Sequence, residues 1–279
     1  MLLRKIVIII LFVTIALTLG CQNKTSTEGR HLTEGDVVRA LKNEGFKLNK
    51  EGLDNSDKYA LGDTKPSLFK LNKTNDSLFL YVFNTLSDRK EIYSHGFREK
   101  KIQNIFEDFV NEKLYAPLVY NAKNVILVYI PNDLFSQQVQ NNAHNLGTLA
   151  FYTLNDSKQI RFEGKGDNWE GYLLIEYYQH FIQEEKSNKI HYDNYHKETG
   201  ELRYIGEEDI ESIRNIKYTI KGSSSSSGGS LEKLRDNGIL SLGTSGGNGA
   251  IPRIKEIFTL TIQWNDKEET FELKETNTD

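Results

Sequence analysis

The side chain best suited to a covalent reaction is the only cysteine of the 279-residue chain, Cys21. It follows an apolar run over residues 6–20, interrupted only by two threonines, and precedes the polar run 22–30. Arg4 and Lys5 stand before the apolar run. A cationic start, a short apolar run and small residues before a cleavage point are typical of a secretory signal. The sequence therefore predicts export, with cleavage directly before Cys21.

Gly20-Cys21 resembles the lipobox of bacterial lipoproteins, in which the thiol receives a diacylglyceryl group and the new amino terminus can be acylated. Thr18 and Leu19 depart from the usual pattern, which has Leu three residues and a small residue two residues before the cysteine. Two acyl chains anchor a protein stably, whereas this apolar run is shorter than the ~20 residues that span a bilayer. Two alternatives are an uncleaved anchor and a cysteine buried in a core, the second disfavoured by the polar run that follows.

Two histidines, His191 and His196, are the next candidates, because imidazole is a common metal ligand. A zinc site needs further ligands at suitable spacing, and the sequence contains neither an HExxH motif nor a cysteine pair. Five residues apart on a strand, the two positions alternate to opposite faces. We therefore predict no metal site and no cofactor.

Glycine-rich and acidic segments are weaker candidates. Gly243–Ala250 lacks the Lys-Ser/Thr pair of a P-loop, which favours a flexible loop. The two acidic runs, 163–170 and 207–211, lack the D-x-D-x-D-G spacing of a calcium loop. A carboxylate pair that faces across a glycosidase cleft has no fixed spacing along a sequence. Solvated charged turns are the favoured interpretation of these carboxylates, which are Glu163, Asp167, Glu170, Glu207, Glu208, Asp209 and Glu211.

Serine and aromatic residues add no catalytic motif. The one G-x-S-x-G match, residues 243–247, lies in the glycine-rich stretch and lacks the strand-to-helix setting of a nucleophile elbow. Tyr172, Tyr177, Tyr178 and Phe181 are consistent with a sheet core and one half-exposed face, and the alternative is a sugar- or peptide-binding face. The sequence therefore predicts no catalytic residue and a protein that is not an enzyme.

Composition limits the class of partner. Cleavage before Cys21 leaves 259 residues, enough for one large or two ordinary domains. Loss of Arg4 and Lys5 changes the formal net charge from −4 to −6, and an acidic chain gives no reason to expect nucleic-acid binding. With Cys21 modified no disulfide can form, so the core, drawn from 38% hydrophobic residues, must supply the stability.

Residues 31–155 mix helix and strand patterns. Thr33 with Asp36 forms a capping-box variant that predicts a helix, and Gly45 predicts its end. Asp133 is expected to begin a further helix, and residues 86–110 have apolar side chains at helical spacing. Three strands are expected, at Ser67–Leu71, Leu78–Phe83 and the apolar "KNVILVYIP". The prediction is an α+β domain.

Residues 158–279 change to a period of two. About seven short strands separated by turn residues predict an antiparallel sandwich, which we interpret as immunoglobulin-like. The clearest is the terminal hairpin, in which Phe258, Leu260, Ile262 and Trp264 face inward. The Gly/Ser-rich stretches within 222–252 are expected to be loops.

The whole chain resembles a group of uncharacterised membrane lipoproteins of Bacillus-type Gram-positive bacteria. The resemblance rests on the Cys21 signal, "LTEGDVVRALKNEGFKL", "GKGDNWEGYLLIEYY", "IRNIKYTIKG" and "TLTIQWNDKEETFEL". These motifs are structural, so the resemblance implies a location and an architecture and no catalytic residue.

The sequence thus predicts a lipoprotein anchored through diacylglyceryl Cys21 on the extracytoplasmic face of the cell membrane. Its ectodomain is expected to be non-catalytic and to act by binding an envelope protein or a cell-wall partner. Two alternatives are a ligand-capturing lipoprotein serving a transporter and a cell-wall hydrolase that the motifs do not reveal.

Overall fold

The structure is a computed structural model that describes residues 30–94, 104–106, 117–133, 135–183, 190–223 and 225–276. Cys21 and its signal lie outside the described residues. So does most of the predicted helical segment 86–110 beyond Ser94. The described residues form two antiparallel sheets, one within residues 48–130 and the other within residues 158–276.

The first sheet has five strands in the order β1-β2-β3-β5-β4. Their bounds are β1 Leu48–Glu51, β2 Ser67–Leu71, β3 Ser77–Val82, β4 Leu118–Ala122 and β5 Val125–Ile130. The predicted hairpin is confirmed as β2–β3. The apolar run becomes β5, in which every residue is buried because β5 lies between two strands and both its faces are covered.

Two helices pack on one face of this sheet: α1 (Glu34–Asn43) and α3 (Gln137–Thr148). The capping box at the start of α1 is confirmed, since the Thr33 hydroxyl accepts from the Asp36 N–H and the Asp36 carboxylate accepts from the Thr33 N–H. Gly45 adopts a φ of +84°, the left-handed conformation expected after a helix.

The predicted start of the third helix is wrong. Ser136 caps α3 by accepting from the Val139 N–H, while Asp133 accepts from Phe135 N–H in the turn before it. Both are short oxygen acceptors suited to an N-cap, so the sequence alone does not separate them. α3 continues as a π-helical segment, Leu149–Leu154. A further helix, α2 (Leu86–Ser94), follows β3.

The second sheet has eight strands in the order β10-β9-β12-β13-β6-β7-β8-β11, every pair antiparallel. Their bounds are β6 Lys158–Lys165, β7 Trp169–Gln183, β8 Ile190–Tyr204, β9 Arg214–Lys221, β10 Ser226–Lys233, β11 Ile239–Gly247, β12 Ile257–Trp264 and β13 Lys267–Thr276. The predicted terminal hairpin is confirmed as β12–β13.

This sheet bends over its own core. The ring of Phe162 in β6 packs edge-on against Phe258 in β12 at 4.9 Å between centroids, and Trp169 in β7 packs against Trp264 in β12 at 5.9 Å. The two halves are joined where β13 pairs with β6, through only three residue pairs. A Cβ on Gly164 would stand 2.1 Å from the carbonyl oxygen of Glu272, so this close crossing requires glycine.

The Gly/Ser-rich stretches are not loops throughout, which corrects the prediction for 222–252. β10 contains "SSGGSLEK" and β11 contains "ILSLGTSGG", and they are the two edge strands of the sheet. Their side chains are mostly exposed, so hydrogen bonding by the backbone forms the strand without an apolar pattern. Residues 222, 223 and 225 and the segment 248–256 remain outside strands.

The antiparallel, β-rich character expected after residue 158 is therefore confirmed. The eight strands are joined in one continuous sheet, so the order of pairing does not by itself establish the two separate sheets of an immunoglobulin domain. We call the described part of residues 30–155, with the five-stranded sheet and its helices, the first unit. One end of the eight-stranded sheet, where β6 begins and β9, β13 and β11 end, adjoins this unit, and we call it the proximal end.

Candidate interaction surface

The β7–β8 hairpin buries one face in one half of its length and the opposite face in the other half. In the half away from the proximal end, the odd-numbered positions of β7 are buried in the apolar core of the eight-stranded sheet, which we call the second core, as in Leu173 and Ile175. In the proximal half the even-numbered Tyr178 and His180 are buried instead. Neighbouring positions of a strand point to opposite faces, so this half packs one face on the first unit and turns the other outward.

A buried ion pair fixes the packed face. Arg89 in α2 is 1% exposed and donates from Nη2 to the carboxylate of Asp193 in β8. Its Nε donates to the backbone carbonyl of Lys123 at 2.7 Å. Because a guanidinium is planar and presents several fixed donors, Arg89 holds the β4–β5 turn and the hairpin at once. Lys90 adds a bond from Nζ to the carbonyl of Tyr192 at 2.8 Å.

Beside this pair lies a second polar contact. Asp193 is directly opposite His180 in the β7–β8 register, and His180 Nε2 donates to Asn155 Oδ1 at 3.1 Å. The same Asn155 oxygen accepts from the Lys123 N–H at 3.0 Å. The Lys123 ammonium is paired with Asp156. Burial, helped by the nearby Lys123 charge, lowers the pKa of His180 to about 4, so the imidazole is neutral near pH 7.

Aromatic rings also pack between the first unit and the β7–β8 hairpin. Phe151, in the π-helical segment, packs edge-on against Tyr178 and Tyr195 at 5.8 and 6.1 Å between centroids. The Lys197 ammonium lies 4.2 Å from the centre of the Phe151 ring, a distance suited to a cation–π contact. Together with the ion pair, these contacts hold the proximal half of the hairpin firmly against the first unit.

The outward face of the same half carries exposed apolar side chains. Phe181 and Tyr192 are opposite each other in the register, 42% and 45% exposed, with ring centroids 6.4 Å apart. Ile190 is 62% exposed on the same face of β8. We call these three residues the hairpin surface. A gathering of large apolar side chains on one rigid element is typical of an interaction site.

The two histidine candidates occupy separate positions of β8. His191 and His196 occupy β8 at odd spacing, opposite Ile182 and Tyr177, so the two positions alternate between faces. His196 Nε2 lies 3.5 Å from a Glu198 carboxylate oxygen. Within the described part of the chain, no group of three or more His, Cys, Asp or Glu residues could hold a metal ion.

The predicted carboxylates are spread over separate structural roles. Glu208 accepts from the Lys267 ammonium at 2.7 Å and from the Tyr204 hydroxyl at 3.2 Å, and the hydrogen bond from Lys267 lowers the pKa of Glu208. Asp209 caps a short 3-10 turn, Ile210–Ser212. Glu163 is paired with Arg161 on β6. Each of these three carboxylates is engaged in a local structural contact, as expected of charged surface positions.

The predicted aromatic candidates separate by face. Tyr177 packs against the second core, Tyr178 is buried against Phe151, and Phe181 belongs to the hairpin surface. The Arg161 guanidinium lies over the ring of Tyr172, with 3.8 Å between Cζ and the centre of the ring. Sequence reasoning did not find Arg89 or His180, because their partners in β8 and after α3 are distant along the chain.

Comparison of the chain with family models, with curated proteins and with solved structures finds no match. Among the described residues, no helix has the length and apolar character needed to cross a membrane.

Proposed function

We propose that the chain is a lipoprotein of the cell envelope, held on the extracytoplasmic face of the membrane by a diacylglyceryl group on Cys21, and that its ectodomain acts by binding rather than by catalysis. The observation that carries the binding role is the hairpin surface. Phe181, Ile190 and Tyr192 stand exposed on a hairpin whose opposite face is locked by the buried Arg89–Asp193 pair.

A binding surface works best when its geometry is set before the partner arrives, because less conformational freedom is then lost on association. The outward positions of Phe181 and Tyr192 follow from the inward positions of His180 and Asp193 on the same strands. The proposed partner is an envelope protein or a cell-wall component.

We further propose that the architecture is an α+β domain followed by an immunoglobulin-like sandwich. Two arrangements support this proposal: α1 and α3 share one face of the five-stranded sheet, and Phe162 meets Phe258 between the two halves of the eight-stranded sheet. In such a sandwich the ends of the strands commonly carry the binding elements.

The anchor is tested with Cys21→Ala in cells of a lipoprotein-processing bacterium. The expected product keeps its 20-residue signal, whereas the unchanged chain gives an N-terminal peptide that begins at Cys21 and carries the mass of a diacylglyceryl group. The control is Thr18→Leu, which restores the usual leucine and should raise the fraction processed. An identical product mass for Cys21→Ala and the unchanged chain rules out the anchor.

The binding role is tested by crosslinking in intact envelopes. The double variant Phe181→Ser/Tyr192→Ser should lose the adducts that the unchanged protein forms. The matched control is Phe135→Ser, which changes an 82%-exposed side chain in the turn before α3 and should keep the adducts. Equal adduct patterns for both variants would exclude the hairpin surface as the binding site.

A further inference from the structure

A second exposed surface lies at the proximal end, between the end of β9 and the start of β12. It is an open groove of about 590 Å³. The residues that define it, which we call the basic groove, are Lys221, Arg253, Ile254, Lys255, Glu256 and Ile257. None of them belongs to the hairpin surface.

The groove exposes apolar side chains. Ile254 is 63% exposed and Ile257 is 47% exposed. Both are aliphatic, and two such residues side by side in an open groove are a departure from the usual scattered exposure of single apolar residues. This pattern suits a surface that leaves water when it meets a partner.

The charge of the groove is opposite to that of the whole chain. Lys221, Arg253 and Lys255 are exposed cations, whereas the formal net charge of the chain is −4. Glu256 is the one carboxylate among the lining residues, and it accepts from the N–H and the hydroxyl of Ser223, both at 2.8 Å. Glu275 lies beside the groove, where it accepts from the Lys255 N–H. Because three cations outnumber these two carboxylates, the groove presents net positive charge around its apolar centre and complements an anionic surface.

The turn that presents Ile254 is held by backbone contacts. The Glu256 N–H donates to the Arg253 carbonyl at 2.9 Å, and the Lys255 N–H donates to the Glu275 carboxylate at 3.1 Å. Lys255 has a φ of +79°, a conformation uncommon for a residue other than glycine. Ile254 thus projects from a defined turn between two cations.

The number of residues between the proposed anchor and Arg30 limits the distance between the ectodomain and the membrane. If the mature protein begins at Cys21, nine residues precede Arg30, the first that the structure describes. Fully extended, nine residues reach about 30 Å. The ectodomain is then held beside the bilayer, where even weak docking acts at a high effective concentration.

We propose that the basic groove docks on the anionic phospholipid surface of the membrane that holds the chain. Ile254 and Ile257 enter the interfacial layer, and Lys221, Arg253 and Lys255 face the lipid phosphates. Cationic residues near an anionic leaflet and apolar residues in its interface act together in this way. The proposal rests on the membrane anchor proposed above, and it orients the ectodomain relative to the bilayer.

The test places a tryptophan in the groove of the full chain reconstituted in vesicles. Ile254→Trp is compared with Phe135→Trp, an exposed position outside the groove. The native Trp169 and Trp264 are 0% and 2% exposed at the end of the sheet away from the groove, so they give a constant background. Quenching is measured with lipids brominated on their acyl chains, in phosphatidylglycerol-containing and in pure phosphatidylcholine vesicles.

With anionic vesicles, Ile254→Trp should be quenched at least about twofold more than Phe135→Trp, and the difference should shrink in high salt. Adding Lys221→Gln, Arg253→Gln and Lys255→Gln to the Ile254→Trp chain should remove the difference, as should phosphatidylcholine vesicles. Circular dichroism of each variant checks that it remains folded.

Equal quenching of the two tryptophans in anionic vesicles overturns the proposal. Strong quenching of Ile254→Trp that is the same in phosphatidylglycerol-containing and pure phosphatidylcholine vesicles also overturns it. A shift of its emission with soluble inorganic polyphosphate, without quenching by vesicles, also overturns it and identifies an anionic polymer as the partner. Whether Cys21 carries a diacylglyceryl group is measured separately, from the mass of the N-terminal peptide. The quenching comparison remains valid without this group, because an uncut chain keeps the apolar run 6–20 that holds it to vesicles.

Discussion

Arg89 of α2 forms a buried ion pair with Asp193 of β8, joining the first unit to the eight-stranded sheet across 104 residues of sequence. Asp193 is 14% exposed at its side chain, and Arg89 is enclosed almost completely. Both the first unit and the hairpin are therefore needed to keep either charge satisfied.

Arg89→Met should lower the free energy of unfolding by about 3–5 kcal/mol, because removal of one partner leaves the other charge buried without it. Asp193→Leu should have a similar effect, and the double variant should lose less than the sum of the two. Urea denaturation of all three measures this. Lys65→Ala, which breaks the exposed pair with Asp57, is the control and should change little. Additive losses would show that the two residues do not interact.

Stability should fall with acid because of His180. Its pKa is about 4 when folded and about 6.5 when unfolded. Between pH 6.5 and pH 4 the imidazole is therefore protonated in the unfolded state and neutral in the folded state. The free energy of unfolding is thus highest above pH 6.5 and decreases as the pH falls to about 4. The full difference is about 3 kcal/mol.

The measurement is the free energy of unfolding in urea at a series of pH values from 7 to 4. His180→Gln keeps a donor for Asn155 and should flatten the pH dependence in this window. His144→Gln, at an exposed position of α3, should leave it unchanged. The same slope in both variants would contradict the assignment to His180.

Gly164→Ala should disturb the crossing of β6 and β13, since the new Cβ would collide with the carbonyl oxygen of Glu272. We expect a loss near the upper end of the ~1–3 kcal/mol typical of overpacking. Gly52→Ala is the matched control, because no atom lies within 4 Å of its Cβ position. Thermal unfolding compares the two, and an equal small shift would place β6 and β13 farther apart than described.

Trp264→Ala should cost about 3–5 kcal/mol, as for other large buried aromatics, a large part of the ~5–15 kcal/mol that a domain possesses. Trp264 is 2% exposed and its Nε1 donates to Glu208 at 3.4 Å. Thr261→Ala, on the opposite face of β12, should cost far less. Denaturant midpoints of both variants test this, and comparable losses would contradict the inward position of Trp264.

Local patterns were sufficient for several elements. The Thr33–Asp36 capping box, the Gly45 helix end and the β12–β13 hairpin are each specified by residues a few positions apart, so their interactions are visible along the chain. The placement of Cys21 after an apolar run is likewise a local feature, and it is the basis of the proposed anchor.

Periodicity was not sufficient where strands lack apolar side chains. β10 and β11 are edge strands formed by backbone pairing with β9 and β8, and their glycines and serines carry the composition of loops. The start of α3 was missed for a related reason, because Asp133 and Ser136 are equally suited to an N-cap and the packing of the helix decides between them.

Sequence alone determined which residues alternate within each strand, because neighbouring side chains of an extended backbone point to opposite faces. It did not determine which face would be covered. In β7 the apolar pattern places Phe181 on the same side as Ile175, yet the first unit packs on the other side, enclosing His180 and leaving Phe181 exposed. That choice depends on Arg89 and Asn155, whose contacts with the hairpin exist only once the two units pack together. The tertiary structure therefore decided where the hairpin surface lies.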